Sequence, residues 1–302
     1  MQEILSRAGC FVAIIVLGYV LRKKNFFKEG DFTVLSKIVL RITLPAAIVS
    51  SFAGKEIDLA LLSLVLISLG QGIVYMLVMY LLNAKRGKDA QAFEILNTAG
   101  YNVGNFTMPF AQGFLGPMGV IATSIFDVGN ACVCLGGAYS IASVIKDGGK
   151  FSPIKILKAL SKSVAFDCYV IMMILTVLKI KLPGVVVSFA EIIANGNAFL
   201  AMLMIGVGFK LSGERSQIRS IVRILSVRYS FALIFALAGY FLLPFALEVR
   251  QALVILAFSP IASAAPPFTG DLKGDVGLAS AVNSISIVCS IVFTVAILLL
   301  LL

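Results

Sequence analysis

The sequence predicts an all-α integral membrane protein with ten transmembrane helices in two inverted five-helix repeats. Three observations support this fold class. Hydrophobic residues make up 60% of the 302 residues, mean hydropathy is +1.02 and 13% of residues are charged, whereas about a quarter is typical of soluble domains. Apolar runs long enough to span a bilayer recur along the chain. Two polar, proline-bearing interruptions occupy corresponding places in the two halves.

A membrane span needs about 20 mainly apolar residues. The longest apolar stretch divides at a turn signal, residues 116–119. The second run is less apolar, but its two basic residues lie near its start, where long side chains reach the membrane interface. The predicted spans cover residues 4–22, 32–53, 58–83, 92–115, 118–145, 164–181, 186–211, 220–246, 249–272 and 276–302.

Basic residues are distributed unevenly between the two sets of loops. Of the 25 lysines and arginines, seventeen belong to one set, which includes Lys210 and Arg215, and five belong to the other. The positive-inside rule places the first set in the cytoplasm and both termini outside the cell membrane. The long basic loop 146–163 is predicted to link a first repeat, 1–145, to a second, 164–302. Because five is odd, the second repeat is inverted.

The composition excludes several function classes. The chain has no histidine, and its five cysteines lie in apolar segments without metal-ligand spacing, so no metal site is predicted. It has no glycine-rich phosphate loop and no catalytic motif, so neither an enzyme nor a bound cofactor is predicted. The net charge of +10 comes largely from the cytoplasmic loops, which indicates a lipid bilayer as partner rather than nucleic acid.

The fourth predicted span is interrupted by a polar segment, residues 101–109. Gly104 lets the backbone leave helical geometry, and Pro109 removes a backbone donor. Non-helical backbone inside a membrane is stable only where protein groups or water in a cavity form hydrogen bonds with its N–H and C=O groups. Asn102 and Asn105 are therefore predicted to bind a carboxylate or a helix end. The alternative is a proline kink whose amides bond neighbouring helices.

The ninth predicted span has a matching interruption at residues 259–267, where three prolines within eight residues prevent a regular helix. Pro260 and Pro266 are predicted at a helix crossover, and Ser263 in the binding site. Many secondary transporters build their substrate site from broken helices at the membrane midplane. Two such breaks, one in each half, therefore predict a carrier, although a packing kink is again the alternative.

The fifth predicted span carries Asp127 and Asn130 near its middle. An acidic residue deep in a span is a functional candidate by default. Asp127 is predicted to bind Na⁺ or carry a proton as the coupling ion, and Asn130 to contact the substrate. The alternative is a protonated or paired aspartate that only joins helices. Arg228 in the eighth span is a candidate partner for Asp127.

Three segments resemble the auxin efflux carriers and their bacterial relatives, in the bile acid/auxin carrier group. Residues 35–47 resemble the family's second helix. Asn102, Gly104 and Pro109 match a segment of its fourth helix, where Thr107 replaces a second glycine. The third segment matches at Pro260, Gly274, Asp275, Ala279 and Ser280.

This resemblance implies a ten-span inverted repeat whose broken helices cross at Pro109 and Pro260. It also implies a carboxylate substrate contacted by Asn102, and a homodimer would fit the family. Bacterial relatives are commonly labelled malate or malonate permeases. Two features differ from the family pattern. Ala264 stands where many relatives have asparagine, and the third span has Gln71 but lacks the plant carriers' Asp–Lys pair.

Together these patterns predict a secondary transporter of small organic anions, such as malate, malonate or auxin-like acids, that works by alternating access. A Na⁺/H⁺ or other cation antiporter is an alternative, because that fold shares crossed broken helices and an acidic residue in the fifth span. A membrane sensor descended from a transporter is a further alternative.

Overall fold

The structure is a computed structural model that describes residues 2–28, 30–148, 150–209 and 217–302. The regular structure in these ranges is helical, apart from an isolated antiparallel bridge between Tyr101 and Ile261. Lys210 and Arg215, assigned from the sequence to a cytoplasmic loop, lie outside the described residues. The all-helical prediction is confirmed for the described part of the chain.

The α-helices are listed here in chain order. They are α1 (Gln2–Lys23), α2 (Asp31–Ile38), α3 (Leu44–Phe52), α4 (Ser63–Leu82), α5 (Lys88–Leu96), α6 (Met108–Phe114), α7 (Gly116–Cys132), α8 (Ala138–Asp147), α9 (Pro153–Leu160), α10 (Val164–Val177), α11 (Gly184–Ala194), α12 (Asn197–Gly208), α13 (Ile218–Phe241), α14 (Leu247–Ala257), α15 (Ala265–Asp271) and α16 (Val276–Leu301). π-Helical turns occur at Val39–Thr43, Val103–Thr107 and Val133–Gly137.

Seven stretches of the described chain are long and apolar enough to cross a membrane. The pair α9 and α10, bent by 84°, makes an eighth if it counts as one span. These stretches indicate a multi-pass membrane protein, as the composition predicts. They are Gln2–Lys23, Asp31–Phe52, Leu59–Leu82, Gly116–Asp147, Gly184–Gly208, Ile218–Phe241 and Val276–Leu301.

The helices pack in two groups. In the scaffold group, comprising α1–α3 and α10–α12, α1 and α2 pack on α12 while α10 and α11 pack on α3. The crossing group comprises α4–α8 and α13–α16 and contains both interrupted helices. Within it, α7 packs against α4 and α14, and α16 packs against α13, α14 and α15. The groups meet where α12 contacts α6 and where α3 contacts α7.

Helices α1 and α12 touch backbone to backbone at two glycines. A Cβ atom at Gly206 would lie 2.0 Å from the carbonyl oxygen of Ile15, and one at Gly18 would lie 2.4 Å from that of Leu203. Small residues let membrane helices approach closely, and the resulting stabilisation comes from van der Waals packing. The scaffold group therefore contains a contact that excludes any larger side chain.

The variant Gly206→Ala is expected to destabilise the protein, because the added methyl group would push α1 away from α12. Overpacking of this kind costs about 1–3 kcal/mol. The measurement is the thermal unfolding midpoint of the purified protein in detergent. Gly9→Ala is the matched control in α1, since nothing lies within 4 Å of a Cβ at that position. Equal midpoints for the two variants would contradict the close contact.

Candidate functional site

The two interrupted helices cross where each is unwound. α5 and α14 both end before the crossing, and an extended segment follows each of them. The backbone N–H of Asn102 donates to the carbonyl oxygen of Pro260 at 2.9 Å. The backbone N–H of Ala262 donates to the carbonyl oxygen of Gly100 at 3.1 Å. Each unwound segment therefore satisfies backbone groups of the other, as an irregular backbone inside a membrane requires.

Two of the predicted crossover prolines lie beyond the crossing rather than at it. Pro109 lies in the first turn of α6, and Pro266 lies in the first turn of α15. Proline suits the first turn of α15, whereas Pro109 follows a π-helical turn in which the Met108 N–H already bonds the Val103 carbonyl oxygen. Gly104 lies inside the π-helical turn Val103–Thr107, while Pro260 contributes its carbonyl group to the crossing.

Asparagines from two neighbouring helices hold the crossing backbone. Asn130 in α7 accepts from the Tyr101 amide and donates to the Tyr101 carbonyl, both at 2.9 Å. Asn283 in α16 donates to the carbonyl oxygens of Ile261 and Ala262. Asn130 Nδ2 also donates to an Asp127 carboxylate oxygen at 2.8 Å. Both hydrogens of the Asn130 side-chain amide are therefore used. Asn130, predicted as a substrate contact, thus holds the crossing backbone and also lines the second of the two cavities beside the crossing.

Two side-chain hydrogen bonds join the half-helices across the crossing. Asn97, which follows α5, donates through Nδ2 to Thr269 Oγ1 in α15 at 3.0 Å. Thr107 and Ser259 share a hydrogen bond between their hydroxyl groups. All four residues are buried, so these bonds replace the water that polar side chains would otherwise require.

Asp127 lies beside the crossing and has no arginine partner among the described residues. Its two oxygens accept hydrogen bonds from Asn130 Nδ2 at 2.8 Å and from the Tyr169 hydroxyl at 3.1 Å. The predicted pairing with Arg228 is wrong, because that guanidinium bonds the backbone carbonyls of Thr98 and Ser259. The sequence shows that both residues are intramembrane, but the direction in which each helix face points decides their partners.

Two cavities lie beside the crossing, and both are lined by Asn102, Asn105 and Ser263. The first cavity has a volume of about 200 Å³ and extends towards the adjoining ends of α1 and α12. Among the described residues, Arg22 is the one charged side chain that lines it. The second cavity has a volume of about 290 Å³. Its titratable and charged lining residues are Arg41, Tyr101, Asp127, Cys134, Lys162 and Tyr169.

The residues shared by the two cavities include one buried polar atom that lacks a partner in the described part of the chain. Asn105 Nδ2 donates to Ser263 Oγ at 3.3 Å, whereas Asn105 Oδ1 is buried without a hydrogen bond among the described residues. A buried polar atom without a partner is uncommon and marks a place where water or a ligand can bind. The structure thus brings three of the predicted substrate contacts, Asn102, Asn105 and Ser263, to one place between the cavities.

Two residues at the cavities, Arg22 and Tyr169, could not be recognised from the sequence as site residues. Arg22 Nη1 donates to the carbonyl oxygens of Val207 at 2.9 Å and Phe209 at 3.2 Å, and these bonds hold the guanidinium at the first cavity. A basic residue at the end of a span ordinarily indicates only topology. Tyr169 lies in an apolar run, where no spacing distinguishes it from a packing residue.

A family model described as a membrane transport protein matches residues 10–164, just over half of the chain. The match includes the interrupted fourth helix and Asp127, and it agrees with the resemblance seen in the motifs. No curated protein matches the chain. The extent of the family match and the multiple apolar helices lead to the same conclusion: the chain belongs to the membrane transport protein family, that of the auxin efflux carriers in the bile acid/auxin group.

Proposed function

We propose that the protein is a secondary transporter that carries small organic anions, such as malate, malonate or auxin-like acids, by alternating access. The observation that carries this proposal is the first cavity, where Arg22 lies with Asn102, Asn105 and Ser263. Guanidinium, amide and hydroxyl groups are donors to carboxylates. No described carboxylate lines this cavity, so its chemistry favours an anion over a cation.

The start of the half-helix after the crossing adds to this preference. The π-helical turn Val103–Thr107 continues directly into α6. The first N–H groups of a helix lack intrahelical partners, and its dipole makes that end positive. Because the turn begins next to Asn102, this positive end lies beside the amides that we assign to the substrate.

We propose ten spans in two inverted repeats, 1–145 and 164–302, in which α10 and the two broken helices supplement the seven long stretches. The packing supports an equivalence of the halves. α1 packs on α12 as α10 packs on α3, and α4 packs on α7 as α13 packs on α16. Asn130 and Asn283 also hold the two crossing segments from corresponding helices.

Alternating access would move the crossing group against the scaffold group. Each cavity is lined by a basic residue at the end of a cytoplasmic loop of the predicted topology. This residue is Arg22 in the first cavity and Lys162 in the second. These loops are cytoplasmic in the predicted topology, so this conformation is assigned as open to the cytoplasm. On the opposite side, Asn197 in α12 donates to Gln112 in α6 at 2.8 Å and accepts from Thr43 at 2.9 Å. We assign this contact to the closed outer path.

Asp127 is the proposed coupling residue, and its neighbours favour a proton over Na⁺. Its oxygens accept from an amide of Asn130 and the hydroxyl of Tyr169. Hard metal cations instead require several oxygen ligands that point lone pairs at the ion. Protonation of Asp127 needs no such ligand set.

A cation antiporter is the second candidate, favoured by the position of Asp127 in the second cavity. Transport by purified protein in liposomes separates the candidates. Carboxylate uptake supports the organic anion carrier, and a pH change that requires Na⁺ supports the antiporter. Specific carboxylate binding without any flux would indicate a sensor. We place the protein in the cell membrane, with both termini outside and a homodimer as its assembly.

The variant Arg22→Gln is expected to reduce carboxylate uptake about tenfold at low substrate concentration, because it removes the positive charge of the first cavity. A hydrogen bond to a charged group contributes roughly 1.5–3 kcal/mol. Initial uptake of radiolabelled carboxylates into proteoliposomes is the measurement. Lys23→Gln is the matched control, since Lys23 lies over the Tyr19 ring and does not line the cavity. Equal uptake by the two variants would place the anion site elsewhere.

The variant Asp127→Asn is expected to flatten the dependence of uptake on pH or Na⁺ while substrate binding persists. An ionised carboxylate inside a bilayer costs roughly 2.5–3.5 kcal/mol, so this group should face the cavity, carry a proton or bind a cation. Uptake measured across a pH series, with and without Na⁺, tests this expectation. Asp167→Asn, in the first turn of α10, is the control. Full ion dependence with a lower unfolding temperature would show that Asp127 only joins helices.

The variant Lys155→Cys, made in a background without native cysteines, is expected to resist an impermeant thiol reagent in intact cells. Lys155 belongs to the basic loop that the charge distribution places in the cytoplasm. Lys181→Cys, on the opposite side, should react readily. Labelling of both variants is measured by gel shift. Ready reaction at Lys155 would overturn the predicted orientation, and equal labelling of Lys155→Cys and Lys181→Cys would overturn the inverted repeat as well.

A further inference from the structure

The fully buried Arg228 in α13 joins the ends of both broken helices. Its Nη1 atom donates to the carbonyl oxygen of Thr98 at 2.8 Å, and its Nη2 atom donates to that of Ser259 at 3.0 Å. Thr98 follows α5 and Ser259 follows α14. The C-terminal end of a helix carries partial negative charge, so one guanidinium compensates two helix ends at once.

The charge of Arg228 has no carboxylate partner among the described residues. The Arg228 Cζ atom lies 3.9 Å from the ring centre of Tyr101 and 4.7 Å from that of Tyr75. Its Nε atom is buried without a hydrogen bond to any residue that the structure describes. The cation is thus surrounded by two carbonyl groups and two aromatic faces, which lower the cost of burial but carry no full negative charge.

Tyr101 connects this charge to the transport site. Its ring contacts the guanidinium, and the same residue lines the second cavity beside Asn102 and Asp127. Electrostatic interactions are strong over such short distances in a poorly solvated interior. The charge of Arg228 therefore lies one aromatic ring away from the second cavity, which Asn102 and Asn105 also line.

We propose that Arg228 is the specificity-determining residue of the transport site. It favours anions over neutral molecules without touching them, and it positions the crossing through its two carbonyl bonds. This inference rests on the proposed transport of organic anions. The two helix ends alone favour a cation at this position; in addition, its charge acts across the Tyr101 ring on the second cavity.

The test compares the binding of carboxylates with that of their neutral amides to the purified protein in nanodiscs. A panel of mono- and dicarboxylates is first titrated against the wild-type chain, and the tightest binder and its amide become the two probes. Their affinity ratio isolates the response to charge, since the two probes have nearly the same shape. The thermal unfolding midpoint is recorded for each variant.

Four variants separate charge from structure. Arg228→Gln removes the positive charge and keeps a hydrogen-bond donor, whereas Arg228→Lys keeps the charge and loses the planar guanidinium with its paired donors. Gln71→Glu adds a carboxylate beside Tyr101, whose hydroxyl group donates to Gln71 Oε1 at 2.7 Å. This variant leaves the guanidinium of Arg228 intact. Arg250→Gln is the control, because Arg250 also bonds a carbonyl and contacts a ring, both of Tyr240, away from the crossing.

We expect Arg228→Gln and Gln71→Glu to lower the carboxylate-to-amide affinity ratio about tenfold or more, and Arg228→Lys and Arg250→Gln to preserve it. If Arg228→Gln does not fold, Arg228→Met, which removes the charge at a similar side-chain length, decides the question. Equal losses for both probes, or an unchanged ratio, in the variant that lacks the charge would overturn the inference. Failure of the wild-type chain to bind any carboxylate would instead overturn the proposed function, and this inference with it.

Discussion

Unwound backbone inside a membrane must find its hydrogen-bond partners within the protein, and this structure is organised around that requirement. The bridge between Tyr101 and Ile261 pairs the two broken helices directly. Neighbouring helices supply the remaining partners through Asn130, Asn283 and the guanidinium of Arg228. The two cavities lie beside the crossing, where the buried Asn105 Oδ1 atom has no hydrogen bond to any described residue. The same constraint therefore explains both the stability of the crossing and the presence of a polar site at membrane depth.

Much of this organisation could be predicted from the sequence. Composition and run length indicate a multi-pass helical protein, and the polar segments around Asn102 and Pro260 mark both broken helices. These signals are strong because a Gly, Asn or Pro inside an apolar run is costly unless it has a role. The sequence also predicts Asn102, Asn105 and Ser263 as substrate contacts, and they line the same two cavities. Local sequence is informative wherever a residue conflicts with its lipid surroundings.

The remaining features depend on contacts between distant parts of the chain. Arg22 resembles an ordinary basic residue at the end of a span, and only its bonds to Val207 and Phe209 hold it at the cavity. Charge and predicted depth make Arg228 a candidate partner for Asp127, whereas in the structure its guanidinium bonds the carbonyl groups at two helix ends. Helix rotation and the positions of half-helix ends decide such partners, and neither is encoded in a short window of sequence.

The division of the crossing between distant segments has a consequence for biosynthesis. Thr107 and Ser259, which bond to each other, are 152 residues apart in the chain. At a synthesis rate of about 5–20 residues per second, the first segment waits on the order of ten seconds for the second. During that interval the polar backbone near Tyr101 lacks its final partners. The nascent first half is therefore an incomplete folding unit, which must be accommodated by the insertion machinery or by water until the second half arrives.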